Sequence, residues 1–123
     1  MAAEKNIVWR QEVDEDNYSS AQSYLLLVLE DEAVTSLIAK LRKAKLTQFR
    51  AKDIFRASQL PLLGISNSRI EKNLKKIEKG ASFSPLLLVR DVANGRVVIA
   101  DGYHRVCAVY SVDDEAWIQC KIV

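Results

Sequence analysis

The four residues Leu86-Leu87-Leu88-Val89, entered through Pro85, are apolar without alternation. A strand with one wet face alternates polar and apolar side chains, and a strand covered on both faces does not. The run therefore predicts a strand buried on both sides, a strong constraint on what surrounds it. Asn94-Gly95 lies just beyond it. Both residues accept positive φ, so a hairpin is expected there, with Arg96 to Ala100 as the return strand.

That return strand runs directly into Asp101-Gly102-Tyr103-His104-Arg105, followed by an apolar segment read as a helix from about His104 to Tyr110. The order strand, Asp-Gly turn, His-Arg and helix places a helix N-terminus, its unpaired N–H groups and two basic side chains at one corner. Such a corner suits an anion, most often a phosphate. A plainer reading is equally open: the Asp-Gly pair makes a turn, and His-Arg is a solvated first helical turn. The last strand, Trp117 to Ile122, alternates, with Ile118, Cys120 and Ile122 on one face. Strand, helix and strand are expected to form a right-handed crossover unit.

Before the hairpin the pattern is mostly helical. Asn6 to Arg10 reads as a short edge strand or anchored arm. Asp14 to Asn17 carry short acceptor side chains that suit a helix start, and the helix is expected from about Tyr18 to Leu29. Tyr24, Leu26 and Leu27 widen its apolar stripe, so a second buried side or a partner surface is expected. Val34, Leu37, Ile38 and Leu41 give the cleanest helical period in the chain. With only Glu30 as a link, the two helices are read as a hairpin. Leu46 to Arg50 reads as a short strand, and Ala51 to Phe55 as a turn or a single helical turn. A further helix starts where Ser68 and Glu71 have capping-box spacing, and Gly80 stops it. Arg69, Lys72 and Lys76 share one of its faces, a basic ridge that is ordinarily just solvated.

Charge is unevenly spread. Of a net +2, residues 1–32 hold two basic and eight acidic groups, residues 33–80 twelve basic and three acidic, and residues 81–123 four basic and five acidic. The basic middle could attract phosphates or nucleic acid, or simply pair with the acidic N-terminal part. The chain of 123 residues suits one domain with a single core. No apolar run approaches a membrane span, and Met1 to Asn6 lack the pattern of a secretory leader. Cys107 and Cys120 have neither CxxC spacing nor a histidine cluster, which points away from structural zinc and disulfides and towards a reducing cytoplasm.

The stretch from Leu46 to Val123 resembles the ParB/sulfiredoxin-like superfamily, which includes ParB N-terminal domains, sulfiredoxins and free-serine kinases. The resemblance is carried by a strand entering Ile54-Phe55-Arg56, a helix at Arg69 to Lys79, a hairpin, and the Gly-x-His-Arg helix start. It implies an α+β fold: a small mixed sheet with packed helices, residues 46–123, preceded by an arm and helical hairpin over residues 1–45. It also implies that Gly102, Tyr103, His104 and Arg105 bind nucleotide phosphates. Arg56 and Arg69 would converge on them, and Lys72 and Lys76 extend the Arg69 ridge.

Two departures narrow the activity. Sulfiredoxin-like members place a catalytic cysteine immediately before His-Arg, where this chain has Tyr103. Tyrosine supplies no low-pKa thiolate, so sulfinic-acid reduction is not expected. Cys107, a turn further on, reads as a small residue packed on the sheet. ParB proteins continue into a helix-turn-helix, which this sequence does not contain, so a DNA-reading domain is not expected. The expected function is nucleotide or phosphate binding, with ATP or CTP and Mg²⁺ as the implied ligand set. The alternatives are a nucleotide-dependent phosphotransferase or NTPase, with Asp53 or the better-placed Asp101 as its base or metal ligand, and a DNA-associated accessory protein. Asp101 reads equally well as a turn residue. A homodimer through the broad apolar face of the first helix is a further expectation, and a membrane partner is not.

Overall fold

Leu86 to Val89 lies at the centre of the molecule. In the computed structural model, which describes residues 7–64 and 66–123, all four side chains are buried. In chain order the elements are β1 (Val8–Trp9), α1 (Glu15–Val28), α2 (Asp31–Lys43), β2 (Thr47–Arg50), α3 (Ala51–Ser58), α4 (Ser68–Lys79), β3 (Ser82–Phe83), β4 (Leu86–Asp91), β5 (Arg96–Asp101), α5 (Tyr103–Val112) and β6 (Trp117–Ile122). The fold is α+β. Met1 to Asn6, on which the start of the expected arm and the expectation about a secretory leader fall, lie outside the described residues.

The main sheet has the order β2-β6-β4-β5. β6 is parallel to β4 and antiparallel to β2, and β5 is antiparallel to β4. This corrects the expected crossover. β5, α5 and β6 are consecutive, but β4 lies between β5 and β6, and the parallel pair is β4 with β6. Adjacency in sequence does not fix adjacency in the sheet, and β4 pairs with both neighbours along its length.

The two faces of β4 explain its composition. Leu86 and Leu88 pack with α3, α4 and α5 through Ile54, Ile70, Val106 and Val109. Leu87 and Val89 face α1 and α2 through Tyr18, Ala21, Leu25, Val34, Ile38 and Leu41. Each fully buried Leu or Ile contributes about 1.5–3 kcal/mol by leaving water, so a polar residue at Leu87 or Leu88 would be strongly disfavoured. Lys121 fastens the N-terminal hairpin to the sheet. Its Nζ donates to the Tyr18 hydroxyl at 3.0 Å and to the Arg42 carbonyl at 2.9 Å, satisfying an orphan acceptor at the end of α2.

Three local expectations need correction. Ala51 begins a two-turn helix, longer than the turn or single helical turn expected: Ala51, Ile54, Phe55 and Ser58 fall at i, i+3, i+4 and i+7 and are all buried. Ser58 obscures that period in the sequence, because its hydroxyl is polar, yet it donates to the Phe55 carbonyl at 2.9 Å. The cap of α4 is Asn67, not Ser68: its side-chain oxygen accepts from the N–H groups of Arg69 at 3.0 Å and Ile70 at 3.4 Å. α1 begins at Glu15, earlier than the expected Tyr18, with Asp14 at its cap position. Among the described residues, no helix is long and apolar enough to cross a membrane.

Candidate functional site

A basic hollow of about 330 Å³ opens where α4, α5 and the N-terminal arm meet. Its floor follows from the end of β5. The β4–β5 register shifts by one residue between Leu87 and Leu88, so that Leu87 faces Asp101 while Leu88 faces Ile99. Bulges of this kind re-aim the strand that carries them. Gly102 then turns the chain with φ of 111°, and among the described residues no side chain caps the helix that follows. A Cβ at Gly102 would lie 2.5 Å from Leu86 Cγ, so only glycine fits. α5 therefore starts with its first-turn N–H groups uncapped beside the hollow, the partial positive end of a helix.

The opposite wall is α4. Its cap at Asn67 sets the helix so that Arg69, Lys72, Asn73 and Lys76, at i, i+3, i+4 and i+7, all line the hollow. Among the described residues, Arg69, Lys72 and Lys76 have no carboxylate within ion-pair distance. His104 faces them. Burial, with the Arg69 charge as a second cause, holds its imidazole below the ordinary histidine value. It is therefore mainly neutral near pH 7.

Arg105 lines the hollow but is already engaged. Its Nη1 donates to the Asn17 side-chain oxygen at 3.0 Å and to the Ser84 carbonyl at 2.7 Å, and its Nη2 donates to Asp101 Oδ2 at 2.5 Å. The guanidinium thus bolts α1, the β3–β4 turn and the end of β5 onto α5. Burial pushes the Asp101 carboxyl above the usual carboxylate range, and the adjacent guanidinium pulls against it. Asp101 is thereby a structural partner of Arg105 in this arrangement, not a free base beside the hollow.

Tyr103 also lines the hollow, but its hydroxyl donates to the Pro61 carbonyl and holds the loop before α4. Burial raises its phenol. Cys107, one turn on, is fully buried, and burial raises its thiol as well. Arg56 is not brought to the hollow. It sits on the outer face of α3, its side chain 86% exposed, paired with Asp53 at 3.3 Å. The expectation treated Ile54-Phe55-Arg56 as the exit of a strand. In a helix, the burial of Ile54 and Phe55 turns Arg56 outward.

The sequence reading missed the third wall. Arg10, Asp14 and Asn17 reach the hollow because β1 pairs with β3 in parallel and the Arg10 N–H donates to the Phe83 carbonyl at 2.8 Å. Arg10 pairs with Asp14 at 3.0 Å, and the Asp14 N–H donates to the Ser84 hydroxyl at 2.9 Å. A two-residue strand leaves almost no periodic signal. Asn73, by contrast, was recoverable from its i+4 spacing to Arg69. Asp14 and Asp101 are the carboxylates nearest the hollow, and each is held by an arginine. Each gives one oxygen to its arginine, and among the described residues no three His, Cys, Asp or Glu side chains cluster as a metal site, so a Mg²⁺ ion here would rely on the phosphates of a ligand for most of its oxygens. Comparison with family models, with curated proteins and with solved structures returned no match.

Proposed function

We propose that this protein binds a nucleotide or another small phosphate-bearing molecule in the basic hollow, with phosphate over the start of α5. The observation that carries this reading is the convergence of Arg69, Lys72 and Lys76, all without carboxylate partners among the described residues, on an uncapped helix N-terminus beside His104. Backbone N–H groups and the helix dipole favour an anion there, and charge-assisted bonds from the α4 side chains strengthen it. The resemblance carried by Gly102 to Arg105 points to the same ligand class, ATP or CTP.

The reading stops at binding. Phosphoryl transfer needs a free carboxylate as base or metal ligand, and Asp101 is tied to Arg105. A duplex is the weaker partner, because the cations face a concave hollow of about 330 Å³ rather than a broad surface.

The test is calorimetric titration with ATP, CTP and tripolyphosphate, with and without Mg²⁺. The variant Lys72→Gln/Lys76→Gln serves as the comparison, since both lysines are exposed and neither anchors the fold. Saturable binding that weakens at least about tenfold in the variant supports the site. A folded wild type that binds none of the three overturns it.

A further inference from the structure

A second hollow lies away from the basic one and shares no residue with it. It sits between α3 and the tip of the β4–β5 hairpin, with a volume of about 460 Å³. Its floor is apolar: Ile54, Leu88 and Val97 are buried beneath it, and Phe49 and Ile122 form the sides. This is the size and character of a small-molecule site. At about 30 Å³ for each water-sized group, it admits a ligand of roughly fifteen heavy atoms.

The mouth determines the charge of what enters. Two carboxylates and two guanidiniums line it: Asp53, Asp91, Arg90 and Arg96. Asp91 is taken by Arg96 at 2.9 Å, and Asp53 by Arg56 at 3.3 Å. Arg90 has no carboxylate within ion-pair distance among the described residues, and its side chain is exposed. Among the described side chains that line the mouth, the pairings leave the Arg90 guanidinium without a partner at the rim of an apolar cavity. Arg56, which plays no part at the basic hollow, acts here by neutralising Asp53.

We propose that this hollow binds a small apolar molecule carrying a single anionic group, an aromatic carboxylate being the best fit, with its ring against Phe49 and Ile122 and its anion on Arg90. A planar carboxylate matches the guanidinium fork, and the ring removes apolar surface from water. Phosphate-rich ligands are disfavoured here, because the carboxylates of Asp53 and Asp91 lie beside Arg90.

The probe is 1-naphthoate, with 1-naphthamide as its uncharged counterpart, each titrated by calorimetry and by methyl NMR of the wild-type protein. Naphthoate should bind saturably and shift the methyl signals of Ile122 and of Ile54, Leu88 and Val97 beneath it. Arg90→Gln should weaken naphthoate about tenfold and leave naphthamide unchanged. Ala57→Trp, at an exposed position in the lining, should fill the mouth and abolish both. Absence of naphthoate binding at millimolar concentration overturns the proposal. So do methyl shifts confined to other residues, or an equal loss of both probes in Arg90→Gln. The NMR measurement on wild type decides the matter even if Ala57→Trp does not fold.

Discussion

Arg105 Nη2 and Asp101 Oδ2 lie 2.5 Å apart, and the two side chains are 13% and 17% exposed. The pair spans one helical turn across the strand-to-helix corner on which the basic hollow depends. Burial raises the Asp101 carboxyl, so the pair is no clear gain over an apolar one. Removing one partner is different, because it leaves the other charge buried alone. Arg105→Ala also strips the Ser84 carbonyl and Asn17 of a donor. We expect it to cost about 3–5 kcal/mol, read as a lower urea midpoint at unchanged slope. In a double-mutant cycle, Asp101→Ala/Arg105→Met should cost less than its two single changes added, with a coupling of about 1–3 kcal/mol. Arg105→Ala is consequently a poor probe of ligand binding: lost affinity could reflect a disturbed corner.

His104 gives a pH signature for the hollow. Burial and Arg69 hold its value low in the free protein, and a bound anion favours the imidazolium. Binding therefore takes up a proton, and affinity rises as pH falls through the histidine range. Sulfate is the suitable probe, because its own charge is constant over that range. Between about pH 8 and about pH 5.5 its affinity should increase, and His104→Gln should flatten the profile. Calorimetry in two buffers of different ionisation enthalpy measures the proton uptake directly. A flat wild-type profile would remove His104 from the site.

The sequence carried those features whose cause is local. Leu86 to Val89 reads correctly because covering both faces of a strand removes alternation from the strand itself. Arg69, Lys72 and Lys76 read as one ridge because helical spacing alone puts them on one face, although only α5 reveals that this face meets a helix N-terminus. What failed was decided at a distance. Arg105 is engaged by Asn17 and Ser84, far from it in sequence, and nothing near Arg105 announces them. Arg10 enters through a two-residue pairing with Ser82–Phe83, too short to leave a pattern. Arg56 was placed at the site by the resemblance alone, which sets an arginine after the first strand, whereas here it lies on α3 with its side chain exposed beside Asp53.

Gly102 and Gly80 both have positive φ, at 111° and 71°, yet they should respond differently to alanine. At Gly80 an added Cβ meets nothing within 4 Å, so the change carries mainly the backbone penalty, about 1 kcal/mol. At Gly102 the same Cβ meets Leu86 Cγ at 2.5 Å and the Arg105 guanidinium at 3.0 Å. Leu86 is fully buried and cannot yield easily, so Gly102→Ala should cost at least about 3 kcal/mol. Paired urea denaturation curves test this, and equal losses at the two glycines would contradict the geometry.

Acid should erode stability through carboxylates that accept hydrogen bonds only in the folded state. Bonds from Arg42 to Glu15, from Asn94 and then Arg96 to Asp91, and from Lys52 to Glu115 lower all three below their ordinary values. A depressed folded value means that the unfolded chain binds more protons. The contribution is then complete above the unfolded value near pH 4 and is lost as pH falls through the folded one. Glu15 and Glu115 are exposed and Asp91 is partly so, so the loss should be modest and shrink in high salt. Asp101 works in the opposite sense: its raised value adds stability as pH falls towards the unfolded value and removes it as pH rises. The acid limb should therefore be steeper in Asp101→Asn than in wild type, measured as urea midpoints from about pH 6 to about pH 3.

Cys107 and Cys120 should report global opening. Both are fully buried and free, one on α5 and one on β6, within the same apolar core. Burial raises both thiols, and that of Cys120 is pushed up to about 12. Reaction with a disulfide reagent needs thiolate and access, and the folded state offers neither. Labelling in native buffer should therefore be slow at both sites and proceed at a common rate. That rate should rise with urea in step with unfolding. Arg105→Ala should accelerate the two together, because the corner it holds closes one end of this core. Fast labelling of Cys107 alone would instead mean that α5 opens locally while the sheet stays intact.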